Sequence, residues 1–190
     1  MHLTDKRKTR SFSRITAILV LISFLLSFAA CSTNKPDKAI AEADRFKSAE
    51  NVARVYAEAA YIGDYDLLRS CYPDSYGTDI EGTSEALKTW SESMKSSLDE
   101  QGIVYSGTRV TETQAYSETV SDEELENAML NIALDIDQPQ SSISDITLCN
   151  VRVFCTYNDE DRYQDVILIV YKFDNRWCVF NMQGADAEAE

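Results

Sequence analysis

Five cysteines, Cys31, Cys71, Cys149, Cys155 and Cys178, are the side chains whose type and spacing bear most directly on chemistry. Cys31 stands apart from the rest, because it follows an uncharged run from Ile15 to Ala30 that ends in two small residues. The other four contain no Cys-x-x-Cys spacing, so a redox or zinc motif is unsupported. Cys149 and Cys155 fall on one strand-like stretch, where six residues of extended chain put them roughly 20 Å apart, too far to bridge each other. A disulfide would have to join separate elements, such as Cys71 or Cys178 to a strand cysteine. Four buried thiols acting as small apolar residues are the alternative, and both stay open at this point.

The only histidine is His2, near the start of the chain. Without another, Ser-His-Asp and Cys-His catalysis, His-ligated zinc, the two-histidine carboxylate iron site and a histidine general base are excluded in their usual forms. Asp159, Glu160, Asp161 and Asp165 cluster at a turn, and Asp122, Glu123, Glu124 and Glu126 open a helical stretch. Neither has the alternating ligands and central glycine of a calcium loop, and a solvated turn and a dipole-favoured helix start account for them. No metal and no cofactor is expected.

The first thirty residues carry Lys6, Arg7, Lys8, Arg10 and Arg14 ahead of the apolar run, the order of a secretory signal. The run, at about 16 residues, falls short of the roughly 20 needed to span a bilayer as a helix. Phe28, Ala29, Ala30 and Cys31 resemble the lipobox of bacterial lipoproteins, with Phe28 in place of the usual aliphatic residue. The resemblance implies cleavage before Cys31, a diacylglyceryl group on its sulfur, and a chain held on the outer face of the cell membrane by palmitate-like acyl chains. Two such chains suffice for stable anchoring. The expected organisation is a signal peptide over 1–30, a lipidated tether over 31–47, one domain over 48–183 and an acidic disordered tail over 184–190.

Removing residues 1–30 leaves 13 basic residues against 31 acidic ones and moves the formal net charge from −14 to −18. Such a chain repels phosphate backbones, which disfavours nucleic acid as a partner, and it stands off an anionic bilayer except through its lipid. The remaining 160 residues are rich enough in Val, Ile, Leu and aromatics to build one core.

The elements follow from periodicity. Val52, Val55, Tyr56, Ala59 and Ala60 recur at helical spacing between a Ser48 cap and Gly63. Asp64 opens a short second helix with Leu67, Leu68 and Cys71 inward, ended by Pro73. After a loop with Gly77 and Gly82, Thr83 or Ser84 caps a third helix with a Leu87, Trp90, Met94, Leu98 stripe, stopped at Gly102. Ile103 to Tyr116 reads as a strand. A Ser121/Glu124 capping box begins a fourth helix marked by Leu125, Met129, Ile132 and Ile136. Ile146–Tyr157, Tyr163–Phe173 and Arg176–Met182 are strands joined by turns at 158–161 and at Asp174–Asn175, an antiparallel meander. The fold class is α+β, with N-terminal helices packed on one face of a curved antiparallel sheet and a C-terminal three-stranded meander.

The stretch Val52 to Tyr61 followed by Gly63, Asp64, Tyr65 and Asp66 resembles the opening helix and Gly-Asp-Tyr step of the nuclear transport factor 2-like superfamily, a cystatin-like, cone-shaped fold. Ser121–Leu125, the paired strands and the closing Asp174, Asn175, Arg176, Trp177 are similar to small lipoproteins of that superfamily in Gram-positive bacteria, over residues 48–182. The superfamily holds isomerases, dehydratases, binding domains and adaptors, so the fold licenses no single activity. Where its enzymes work in the cone with Asp or Tyr, the resemblance points to Tyr56, Trp90 and Tyr105 as pocket residues, with Tyr61 and Asp66 beside them. No carboxylate pair has the spacing of coupled acid and base roles. The expectation is a noncatalytic lipoprotein that binds a small ligand or an envelope protein, with a pocket enzyme using Tyr and Asp as the alternative.

Overall fold

The structure, a computed structural model, describes residues 29–30, 35–76 and 83–184. The segments 1–28 and 31–34, the 77–82 loop and the tail from 185 lie outside the described residues, and with them most of the expected signal segment and the expected lipidation position at Cys31. The two-residue β1 (Ala29–Ala30) precedes three helices, α1 (Ala49–Ile62), α2 (Tyr65–Ser70) and α3 (Thr83–Glu100), which are followed by β2 (Ile103–Ala115), α4 (Asp122–Asp135) and the strands β3 (Ile143–Tyr157), β4 (Glu160–Phe173) and β5 (Arg176–Gly184). The chain is α+β. Every strand pairing is antiparallel, in the order β1-β4-β3-β2, with β5 also on β4. Because β3 occupies one edge of β4 along its length, β5 and the two-residue β1 share the other.

Local chemistry sets the element ends. The Ser48 hydroxyl accepts from the Asn51 N–H at 3.2 Å, and Gly63 closes α1 at φ 72°, where a side chain would be strained. Asp64 accepts from the Leu67 N–H at 2.9 Å to start α2. The capping box of α4 is complete: the Ser121 N–H donates to Glu124 at 2.9 Å, and the Glu124 N–H donates to the Ser121 hydroxyl. Asn158–Asp159 and Asp174–Asn175 all have positive φ, the two-residue turn that matches strand twist and tolerates Asn and Asp. Hence β4 begins at Glu160, earlier than its charged first residues suggest. A bulge between Ile143 and Ile146 lets β3 begin at Ile143.

The N-terminal helices cover one face of the sheet, as expected, and α4 covers the other. Val52, Val55, Tyr56 and Ala59 of α1 pack with Leu68 and Leu98 on Cys149, Val151, Val153, Leu168, Val170 and Val179. Ile132, Ala133 and Ile136, from α4 and its C-terminal cap, pack with Ile143, Ile146, Ile169, Tyr171 and Cys178. Successive β4 residues point to opposite faces, and the unbroken apolar run Val166–Tyr171 is the signature of burial on both.

Within the stretch expected as a tether, residues before α1 pack against the domain. Ile40 and Phe46 pack against the first core, and a 3-10 turn covers Glu42–Asp44. The outer edge of β5 is sealed by carbonyls, with the Trp177 N–H donating to Phe46 at 3.1 Å and the Val179 N–H to Cys71 at 2.9 Å. The Arg176 guanidinium lies 4.0 Å over the Phe46 ring and donates to the Ser70 carbonyl. Among the described residues no helix is long and apolar enough to cross a membrane.

Candidate functional site

The aromatic residues singled out from sequence fill space instead of lining it. Tyr56 stacks on Trp90 with centroids 6.4 Å apart and meets Tyr72 edge-on at 6.1 Å, and Tyr72 stacks on Tyr76 at 4.3 Å. The Tyr72 hydroxyl donates to the Tyr56 hydroxyl at 3.4 Å, and both rings are buried. Burial pushes both hydroxyls above the ordinary tyrosine value, so they stay protonated through the neutral range. Tyr105 is elsewhere, 6.4 Å from Tyr61, whose hydroxyl donates to Gln164 at 2.6 Å. Burial, reinforced by Glu58, pushes Tyr105 up to about 12 against the pull of its hydrogen bond with Thr108. Tyr56 and Trp90 are thus together, and Tyr105 is not with them.

The four cysteines of the domain are free and buried. Cys149 and Cys155 share the α1 face of β3, Cys71 follows α2, and Cys178 faces the α4 side. Burial drives each thiol away from thiolate: Cys178 up to about 11, Cys149 and Cys155 up to about 12, and Cys71 further still. Thiols so protonated are poor nucleophiles.

The acidic clusters behave as surface. Glu124 has its carboxyl lowered by hydrogen bonds from the Ser121 N–H and hydroxyl, which is a cap's work. Asp165 makes a bidentate pair with Arg152, both bonds 2.8 Å, and Arg152 also lies 3.9 Å over the Tyr163 ring. Among the described residues no three His, Cys, Asp or Glu side chains are grouped to hold a metal ion.

Open space lies at the other end of the sheet, which sequence reasoning did not single out. A cleft of about 420 Å³ is lined by Ala115, Ser117, Leu125, Met129, Ser144, Asp145, Ile146, Thr147 and Trp177. Its position follows from register, because Ala115 pairs with Thr147 where β2 ends, and the β3 bulge turns Ser144 and Asp145 outward. Leu125 and Met129, one turn apart on α4, supply an apolar wall, and Trp177 contributes a flat one. Ser117, Ser144 and Thr147 supply hydroxyls, and Asp145, accepting from Ser144 at 3.0 Å, supplies the charge. Such a lining can hold an amphipathic molecule by contact and hydrogen bonding, and it favours a neutral or cationic group over an anionic one. The signal in the sequence was the 143–147 stretch, where strand pattern and polar residues overlap.

No protein-family model, curated protein or solved structure matches the chain.

Proposed function

We propose that this chain is a lipid-anchored extracytoplasmic protein with the cone-shaped architecture of the nuclear transport factor 2-like superfamily, and that it binds a small amphipathic ligand without catalysis. The anchor rests on the basic, apolar and small-residue order that ends at Cys31. The superfamily reading is supported by the order of three helices, a strand, a helix and a meander. One observation carries the binding reading: Tyr56, Tyr72, Tyr76 and Trp90 occupy one another's space, whereas a cleft beside α4 is open and lined by hydroxyls, one carboxylate and apolar walls. A pocket enzyme would need a tyrosine and a carboxylate of raised pKa facing a shared cavity. The buried tyrosines instead face rings.

The test is native mass spectrometry of the purified chain for a retained molecule, followed by titration of released or candidate amphipathic amines with Trp177 fluorescence as the reporter. Saturable quenching that disappears in Trp177→Phe supports the reading. No retained molecule and no response across such a panel would sink it. A second reading, an envelope protein as partner, is favoured by Leu130 and Leu134, one turn apart on α4 and 46% and 66% exposed beside that cleft. Loss of labelled palmitate in Cys31→Ser tests the anchor, and no incorporation in the unsubstituted chain would remove it.

A further inference from the structure

We propose that residues 36–38 form a clamp that fixes how the domain sits on its bilayer, with the β3–β4 turn toward the lipid and the cleft facing outward into the aqueous phase. The inference rests on the lipid anchor at Cys31 proposed above.

Four contacts build the clamp. The Asp37 N–H donates to the Thr108 carbonyl at 3.0 Å on the outer edge of β2. The Asp37 carboxylate meets the Arg109 guanidinium at 3.2 Å, and Arg54 of α1 donates to the Lys38 carbonyl at 2.7 Å. Pro36 sits on Gly107, a bulge residue at φ 149° where a Cβ would lie 2.4 Å from the proline's own Cβ. Gly107 is therefore the residue type that both the backbone and the contact require.

The clamp also has a direction. Pro36 lies against Gly107 and Asp37 against Thr108 and Arg109, so the chain traced backwards from Lys38 heads toward the start of β2. Only five peptide steps separate Cys31 from Pro36, at most roughly 18 Å when fully extended. Gly107 pairs with Phe154 and Ala115 with Thr147, so the cleft lies seven residues of β3, roughly 23 Å, further along the sheet. A leash this short holds the clamped end near the surface. Asp159, Glu160 and Asp161 at the turn keep that end from lying flat on anionic lipid. The ligand of the cleft then comes from solution and not from the bilayer.

The test uses the full chain, lipidated in a bacterial host and reconstituted into phosphatidylethanolamine–phosphatidylglycerol vesicles containing a nickel-chelating lipid. Nitroxides are placed on Val104→Cys, exposed at the clamped end, and on Ser144→Cys, exposed at the cleft; the native domain thiols are buried and escape labelling. The headgroup nickel is expected to relax the label at 104 several-fold more than the label at 144. Equal relaxation, or a stronger effect at 144, overturns the orientation. Asp37→Ala with Arg109→Ala, and separately Gly107→Val, are expected to bring the two labels toward equality while the protein still floats with vesicles. A difference that persists in both variants overturns the clamp as its cause. Flotation that is absent, or unchanged in Cys31→Ser, removes the anchor and the orientation with it, whereas flotation through Cys31 with equal labels removes the orientation alone.

Discussion

The Tyr56–Tyr72 pair offers a double-mutant cycle that separates packing from chemistry. Tyr56 and Tyr72 are 4% and 5% exposed, and the Tyr72 hydroxyl donates to that of Tyr56. Tyr56→Phe removes the acceptor and leaves a buried O–H without that partner, at a cost of about 1–2 kcal/mol. Tyr72→Phe leaves an acceptor without its donor and costs about 1 kcal/mol. The double replacement leaves two phenyl rings that keep the edge-on contact and the stack on Trp90, so it should cost no more than the larger single change, a coupling of about 1 kcal/mol. Tyr56→Ala, which also opens a cavity, should cost about 3–5 kcal/mol. The assay is urea unfolding of the chain from Ser32 onward, followed by circular dichroism, with each kcal/mol also worth about 2–4 °C in Tm. Strictly additive single changes, or singles within 0.3 kcal/mol of the parent, would refute the buried hydroxyl pair.

The raised thiol pKa values give a signed pH dependence. The folded state holds these protons to about 11 or 12 while the unfolded chain releases them near 8.5, so stability is flat below about pH 8 and falls as pH rises beyond 9. Each thiol contributes up to about 1.4 kcal/mol per pH unit in that window, readable as a falling urea midpoint, and a thiol reagent at pH 8 should modify none of the four until the chain unfolds. Gly63→Ala places a Cβ 2.7 Å from the Lys95 Cβ at φ 72° and should lower stability by about 2 kcal/mol in the same unfolding assay. Ser121→Ala removes the α4 cap, at about 1 kcal/mol. Because the Glu124 carboxyl is lowered in the folded state, its share of the cap is present above the ordinary glutamate value and is lost as pH falls through the folded one, so the difference between parent and variant should narrow as pH falls below the ordinary glutamate value.

The elements that sequence placed well are those whose signals are local. Ser48 to Gly63, Ser121 with Glu124, and Asp174–Asn175 each state their structure within a few residues, through a side-chain cap or a tolerated positive φ, and each is found where its chemistry puts it. The clamp was not legible, because Pro36 and Asp37 acquire meaning only from Gly107 and Arg109, some seventy residues away. Read alone they are a tether. The second covered face was partly legible, since Val166–Tyr171 has no polar alternation, but nothing local says that α4 is what covers it.

The candidate site divides along the same line. Helical spacing puts Tyr56 and Trp90 inward, and they are inward, yet period alone cannot say whether inward rings enclose a cavity or close on one another. That is decided by Tyr72 and Tyr76, which a six-residue helix and Pro73 deliver from outside the stripe. With those rings closed on one another, open space is found where the sheet stops pairing, and there the β3 bulge turns Ser144 and Asp145 outward beside Leu125 and Met129. An activity built on the buried tyrosines would require that packing to open. Binding at the cleft requires no rearrangement of the core, and this difference in cost favours the cleft as the working surface.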